Sequence, residues 1–134
     1  MHTAINEVVL LIDDYKLLQS YLKITQATHS DQNCLRPLLN EIKRATIMSR
    51  DDIPSDVIRL NSTAIIKDVA TDRVMALTLV LLEQADLRNG KVSVLDPIGT
   101  MLIGFKKGMR FGYPLEKGHC TLEIIDVYNE HPFL

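Results

Sequence analysis

The chain has 134 residues, of which 46% are hydrophobic and 24% are charged, and its formal net charge is −2 at pH 7. These fractions match those of folded globular domains and exclude an intrinsically disordered chain. Residues 1–53 hold 7 acidic and 6 basic residues and residues 54–134 hold 10 and 9, so neither part has the basic excess that independent binding of DNA or RNA requires.

The sequence indicates neither a membrane protein nor an exported one. Its apolar runs all fall short of the roughly 18 residues that span a bilayer. The N-terminus has neither the charged segment nor the small-residue cleavage site of a signal peptide. A disulfide between Cys34 and Cys120 is conceivable, but the two lie far apart without a disulfide pattern, and reduced buried thiols fit better. We therefore expect a cytoplasmic protein.

Two apolar stripes predict two helices in residues 1–53. The first stripe has heptad-like spacing and consists of Val8, Leu11, Tyr15, Leu18 and Leu22. A helix over about residues 4–26 would be roughly 35 Å long. After a polar segment comes the second stripe, which consists of Leu35, Leu38, Ile42 and Ala45, and Pro37 fits only the first turn of its helix. The pattern predicts an antiparallel helical hairpin, a short coiled coil, although two core helices of one globule would read the same way.

Beyond Pro54 the pattern changes from helices to strands. Just before it, residues 49–52 have the residue types of a helix-capping box. Strands are predicted at residues 63–68, 74–82, 92–95, 109–113 and 120–128, with turns at 70–73, 86–90 and 116–118. The run 76–82 is apolar on both faces, which suits a central strand. The predicted fold class is therefore α+β: a helical hairpin over residues 1–53 and an antiparallel sheet with one short helix over residues 54–134.

Residues 89–108 are the most informative stretch of the chain. Asn89-Gly90 predicts a type I′ turn, because both central positions of that turn need φ > 0. Val92 and Val94 flank a serine with the period of a half-buried strand. Asp96-Pro97 then ends the strand and begins a short helix, which the Asp96 side chain can cap.

The order of motifs in this stretch resembles the C-terminal domain of the Gre-factor family of bacterial transcription factors. The resemblance is carried by Pro97-Ile98-Gly99, Leu102-Ile103-Gly104 and Gly108. It extends back through residues 77–80 and 60–68 and forward to residues 121–127. Residues 48–58 resemble one branch in particular, the Rnk proteins, which are named as regulators of nucleoside diphosphate kinase and bind RNA polymerase. The resemblance implies an FKBP-like fold for residues 54–134.

Gre factors insert a long hairpin into the secondary channel of RNA polymerase, where two tip acids help to hold a catalytic metal. In this chain the loop of residues 29–33 offers only Asp31, and the predicted helices are several turns shorter. We therefore expect no catalytic residue, no metal and no cofactor, with Asp31 a solvated acid at the hairpin tip. The other acidic pairs, Asp13-Asp14 and Asp51-Asp52, are expected on the helix surface and at a helix terminus.

The corner formed by Leu95, Asp96, Pro97 and Ile98 is the predicted partner-binding site. In Gre factors the equivalent corner grips a coiled coil at the rim of the secondary channel and typically reads Asp-Ser-Pro. Here Leu95 stands in place of the Asp and Asp96 in place of the Ser, which leaves an apolar and acidic corner. A plain strand-to-helix turn is the alternative interpretation. Nearby cations could form a basic edge or an ordinary solvated surface: Lys106, Lys107, Arg110 and Lys117.

Other chemistry finds little support in the sequence. The four histidines lack zinc-site spacing, and His119 and Cys120 are neighbours on a predicted strand, so their side chains point to opposite faces. An FKBP-like fold raises the possibility of prolyl isomerase activity. Such an enzyme needs an aromatic-lined pocket, and this chain has three Phe, four Tyr and no Trp. We expect no enzymatic activity.

The sequence thus favours a non-enzymatic transcription regulator. It would bind RNA polymerase at the rim of the secondary channel and exclude other channel-binding factors, without direct nucleic-acid or membrane binding. The alternative is a protein-interaction module that regulates another cytoplasmic enzyme, such as nucleoside diphosphate kinase. No oligomeric state follows from the sequence.

Overall fold

In the computed structural model, residues 8–28, 35–115 and 118–129 are described, and they form three helices and seven strands. The helices are α1 (Ile12–Thr28), α2 (Arg36–Arg44) and α3 (Pro97–Leu102). The strands are β1 (Val9–Leu11), β2 (Thr46–Met48), β3 (Thr63–Asp68), β4 (Val74–Val80), β5 (Lys91–Ser93), β6 (Arg110–Leu115) and β7 (Gly118–Tyr128). The chain is thus a mixed α+β protein, as predicted. None of these helices is both long and apolar enough to cross a bilayer.

The first helix begins later than predicted. Residues 9–11 form β1, which pairs in parallel with β2, and α1 begins only at Ile12. Residues 8–11 are all buried, and a short apolar run of this kind fits a covered strand as well as a helix. The 17 residues of α1 span about 25 Å instead of the predicted 35 Å.

The second helix follows its prediction. Leu35, Leu38 and Ile42 are buried, and Pro37 lies in the first turn, where its missing N–H costs no hydrogen bond. Residues 29–34, which connect α1 to α2, lie outside the described residues, as do Asp31 and Cys34. The capping-box prediction for residues 49–52 was wrong: they form a turn that starts no helix, in which Ser49 Oγ donates to Asp52 Oδ2 (3.1 Å).

The main sheet has the order β5-β4-β3-β7-β6 and is mixed, not purely antiparallel as predicted. Strands β4 and β5 run parallel, with Thr78 opposite Lys91 and Val80 opposite Ser93. The predicted type I′ turn was therefore wrong. Residues 87–89 form a 3-10 turn, and only Gly90 has a positive φ, of 72°. Two short 3-10 turns between residues 82 and 89 return the chain for the parallel pairing.

Strand β4, which holds most of the apolar run at 76–82, lies between β5 and β3 and is an interior strand of the sheet, as predicted. It ends at Val80 and is not covered along its whole length, because Val74 is 60% exposed and Met75 is 41% exposed. All five predicted strands lie within two residues of the observed bounds. The residues from Val92 to Val94 are at most 1% exposed, so β5 is buried on both faces and not on one.

One hydrophobic core joins the helices to the main sheet. It includes side chains of α1 and α2 together with those of the sheet, among them Leu18, Leu22, Leu38, Ile66, Leu79 and Ile124. Backbone bonding also crosses between the two parts, since the Val9 N–H donates to the Gly104 carbonyl (3.1 Å). The division at residues 53 and 54 stays a prediction, but the core is continuous across it.

Candidate docking site

The corner between β5 and α3 is held by a dense set of hydrogen bonds. The Ser93 hydroxyl accepts the Leu95 N–H (3.0 Å), and the Ser93 carbonyl accepts the Asp96 N–H (3.0 Å). The buried Thr100 hydroxyl donates to the Val94 carbonyl (2.7 Å). These bonds fix the backbone of the corner, so its side chains are presented in one arrangement.

Asp96 stands at the N-cap of α3 but does not cap it with its side chain. Its carbonyl accepts the Thr100 N–H (2.8 Å), whereas its carboxylate makes no hydrogen bond to the helix. The predicted side-chain cap was therefore wrong. Within the described part of the chain, no ion pair involves this carboxylate either, so it is available to a partner.

A cleft of about 540 Å³ opens beside the corner, and we call it the corner groove. Leu95, Pro97, Thr100 and Met101 form one wall, and residues of α2 and β6 form the other: Pro37, Asn40, Glu41 and Pro114. Most of these side chains are apolar. The groove is therefore a hydrophobic recess between the helical segment and the sheet.

The corner groove brings together only part of the predicted site. Leu95 and Pro97 line it, while Ile98 is half-buried and packs against the core. The wall from α2 was missed, because residues 37–41 and 95–101 are brought together only by tertiary packing. The one charged lining residue, Glu41, is already paired with Arg44, whose Nε lies 2.5 Å from its carboxylate.

The acidic residues of the helical segment do not form a metal site in the described part of the chain. Asp13 is exposed and pairs with Arg50 at 2.7 Å, as expected for surface. Asp14, in contrast, is only 9% exposed, and its carboxylate accepts the Leu60 N–H (3.0 Å), so its predicted surface role was wrong. Burial raises the pKa of Asp14, although the bond from Leu60 and the charge of Arg59 act in the opposite direction.

The cations near the corner fit the ordinary solvated surface better than a basic edge, because two of them are already paired. Lys107 lies 3.8 Å from Asp126, and Arg110 lies 2.9 Å from Glu123. Lys117 lies outside the described residues. Among the described residues, Lys106 has no ion pair.

The remaining reactive or aromatic groups are scattered. Cys120 is a half-buried free thiol on β7, next to His119, and the other three histidines lie outside the described residues. Phe105 and Phe111 pack edge to face in the core, with ring centroids 5.8 Å apart. Those two rings are therefore occupied by core packing.

Comparisons with known proteins agree with this fold. Residues 53–129 match the family model described as transcription elongation factor, GreA/GreB, C-term. Curated relatives include transcription elongation factor GreA of Chloroherpeton thalassium, 35% identical over 64% of this chain and 54% of the relative. The same factor of Chlorobaculum tepidum is 31% identical over 76% of this chain and 67% of the relative. The chain thus spans between about half and two thirds of the length of these relatives.

Solved structures resemble nearly the whole chain. A prokaryotic transcription elongation factor GreA/GreB from Nitrosomonas europaea has a TM-score of 0.75 at 26% identity, over 92% of this chain and 98% of that one. Gfh1 of Thermus aquaticus has a TM-score of 0.53 at 19% identity, over 92% and 99%. The second likeness shows a shared fold only.

Proposed function

The chain belongs to the GreA/GreB family of transcription elongation factors, and on that premise we propose that it binds RNA polymerase in the cytoplasm and regulates transcription. The observation that carries this proposal is the match of residues 53–129 to the family's C-terminal domain, which includes the whole corner. Polymerase binding would then require the sheet domain as folded here, with its corner exposed.

The corner groove is the proposed contact with the rim of the secondary channel. Pro97 is exposed, Leu95 and Met101 supply apolar area, and the Asp96 carboxylate is unpaired among the described residues. A partner that placed an aliphatic side chain in the recess and a cation beside Asp96 would satisfy both features. The partner-binding residues remain those of the sequence interpretation: Leu95, Asp96, Pro97 and Ile98.

The finer architecture belongs to the same proposal. We propose that α1 and α2 form a short antiparallel hairpin and that residues 54–134 form an FKBP-like domain. With the corner docked at the rim, a hairpin about 25 Å long would occupy the channel entrance. Occupancy alone would exclude other channel-binding factors, because two proteins cannot share one surface.

We further propose that the protein does not stimulate transcript cleavage and is not an enzyme. In α1 the acidic residues are Asp13 and Asp14, in its first turn. Asp14 lies fourteen residues before the end of the helix, which is about 21 Å away from the connection to α2. Between residues 28 and 35 the sequence supplies a single acid, Asp31, whereas the hairpin tip of a Gre factor supplies two acids that help to hold the catalytic metal.

A second candidate function follows from the resemblance of residues 48–58 to the Rnk branch. In this version the protein is an interaction module that regulates nucleoside diphosphate kinase or another cytoplasmic enzyme. The protein that co-purifies with the chain from native extract distinguishes this function from polymerase binding.

A transcription assay on backtracked elongation complexes tests the proposed function. The chain is expected to stay bound to core polymerase, to displace a GreA protein that does stimulate cleavage, and to leave the cleavage rate of polymerase alone unchanged. Stimulated cleavage would overturn the non-cleaving role. Failure to bind polymerase would overturn the proposal as a whole.

A further inference from the structure

A second groove runs along the helical segment between α1 and α2, away from the corner, and we call it the helix groove. Its volume is about 270 Å³. Its lining consists of Tyr15, Gln19, Leu22 and Lys23 from α1 and Leu39, Ile42 and Lys43 from α2. It shares no residue with the corner groove, so substitutions can test the two grooves separately.

The floor of the helix groove is apolar. Leu22 and Ile42 form its deepest part, at 3% and 6% exposure, and Leu39 is half-buried beside them. Residues 15, 19, 22 and 23 follow one face of α1, and residues 39, 42 and 43 follow one face of α2. The recess therefore lies between one face of α1 and one face of α2, where an amphipathic helix can pack against both.

The rim of the helix groove carries two lysines that have no counter-charge among the described residues. Lys23 and Lys43 stand on opposite helices, both are exposed, and neither is in an ion pair with a described residue. The lining contains no acid. Of the described acids of α1 and α2, Asp13 pairs with Arg50, Glu41 pairs with Arg44, and Asp14 accepts the Leu60 N–H.

We propose that the helix groove binds an acidic amphipathic helix of another protein. Aliphatic side chains of that helix would cover the half-buried Tyr15 and Leu39 above the buried Leu22 and Ile42, and its carboxylates would pair with Lys23 and Lys43. The apolar floor favours a protein segment over RNA, because phosphates gain nothing from covering leucine and isoleucine. The charge balance of residues 1–53, with 7 acids against 6 bases, also lacks the excess that RNA binding by charge needs.

Titration of the full chain with a fluorescent synthetic helix tests this proposal. The probe carries leucines at positions i and i+4 flanked by glutamates. Two companion probes replace either the glutamates by glutamine or the leucines by serine. We expect the acidic amphipathic probe to bind and both companions to bind more weakly, because the groove supplies both an apolar floor and two cations.

Substitutions in the chain identify the surface. The double variant Lys23→Glu, Lys43→Glu should lower the affinity for the acidic probe at least about tenfold, which is about 1.4 kcal/mol. Lys91→Glu, an exposed lysine on β5, should leave the affinity unchanged. Lys91→Glu should keep the unfolding temperature of the native chain, because this lysine makes no ion pair with a described residue. The double variant places an acid in the last turn of α2 and should lower the unfolding temperature slightly, but circular dichroism should show it folded.

Three results would overturn the proposal. The first is no binding of the acidic probe at concentrations on the order of 1 mM. The second is equal affinity of the double variant and the native chain. The third is a pair of results: single-stranded RNA displaces the acidic probe from the groove, and the serine probe binds with the same affinity as the acidic probe. Together they would indicate that the groove attracts polyanions by charge alone.

Discussion

The carbonyl oxygen of Ser93 lies where a side chain on Gly99 would begin, since a Cβ at residue 99 would stand 2.0 Å from it. Helix α3 therefore packs directly on the end of β5, with no room for even a methyl group. The Leu79 side chain closes the same space at 3.2 Å. The shape of the corner depends on this contact between a glycine and a backbone oxygen.

Gly99→Ala should consequently disrupt the corner. Because the obstacle is backbone and not a flexible side chain, the expected loss is at least about 3 kcal/mol in the free energy of unfolding, or failure to fold. Urea denaturation measures it. Gly112→Ala is the matched control: the nearest atom to its Cβ would be His119 Cδ2 at 3.8 Å, so a change within about 0.5 kcal/mol is expected. Equal effects of the two substitutions would contradict the packing described.

Asp14 should make stability depend on pH in an unusual direction. Burial raises its pKa, so the folded chain holds the proton at pH values where the unfolded chain has lost it. The contribution of this residue to stability is then greatest below its ordinary pKa of 3.8 and falls as pH rises through the raised value. Asp14→Asn keeps an acceptor for the Leu60 N–H and removes the buried charge.

The Asn variant should therefore be at least as stable as the native chain at pH 7. As the pH is lowered, the free energy of unfolding of the native chain should rise relative to that of the Asn variant. Asp14→Ala leaves the Leu60 N–H without its acceptor and should be less stable than the Asn variant by about 1–3 kcal/mol. Denaturation at several pH values measures all three proteins. If the native chain instead became more stable relative to the Asn variant as the pH rises, the raised pKa of Asp14 would be refuted.

Tyr21 ties α1 to the end of β4. Its hydroxyl oxygen accepts the Leu82 N–H at 3.1 Å, across 61 residues of sequence. Tyr21→Phe should lower the free energy of unfolding by about 0.5–1.5 kcal/mol and should speed hydrogen exchange at the Leu82 amide. Tyr15→Phe is the control, because among the described residues its hydroxyl is hydrogen-bonded to Gln19, within the same helix. Unchanged exchange at Leu82 would show that this bond does not form in solution.

Local patterns in the sequence predicted most of the strands. The alternation along β3, whose Ala64 and Ile66 are buried, and the turn residues on either side of it fixed its bounds. The run at residues 8–11 was misassigned, because a covered strand and a buried helix both read as uninterrupted apolar residues. Its pairing with residues 46–48 depends on a contact that no local pattern encodes.

The sequence predicted only one wall of the corner groove. Pro97 and its neighbours have a recognisable order in the sequence, so the corner could be found. The opposite wall, with Pro37 and Glu41, and the parallel pairing of β4 with β5 arise from tertiary packing. Asp14 was also misplaced, because nothing in the pair Asp13-Asp14 indicates which carboxylate faces the Leu60 amide.

The affinity of the full chain for core RNA polymerase, compared between two variants, tests the central claim most directly. Pro97→Ala combined with Ile98→Ala should weaken binding about tenfold or more, because these residues belong to the proposed contact. Asp31→Asn should change the affinity by less than about twofold, because the sequence predicts a solvated acid at this position and such an acid contributes little. Circular dichroism should show both variants folded. The reverse ranking, or no binding by the native chain, would contradict a protein that docks on polymerase through its corner.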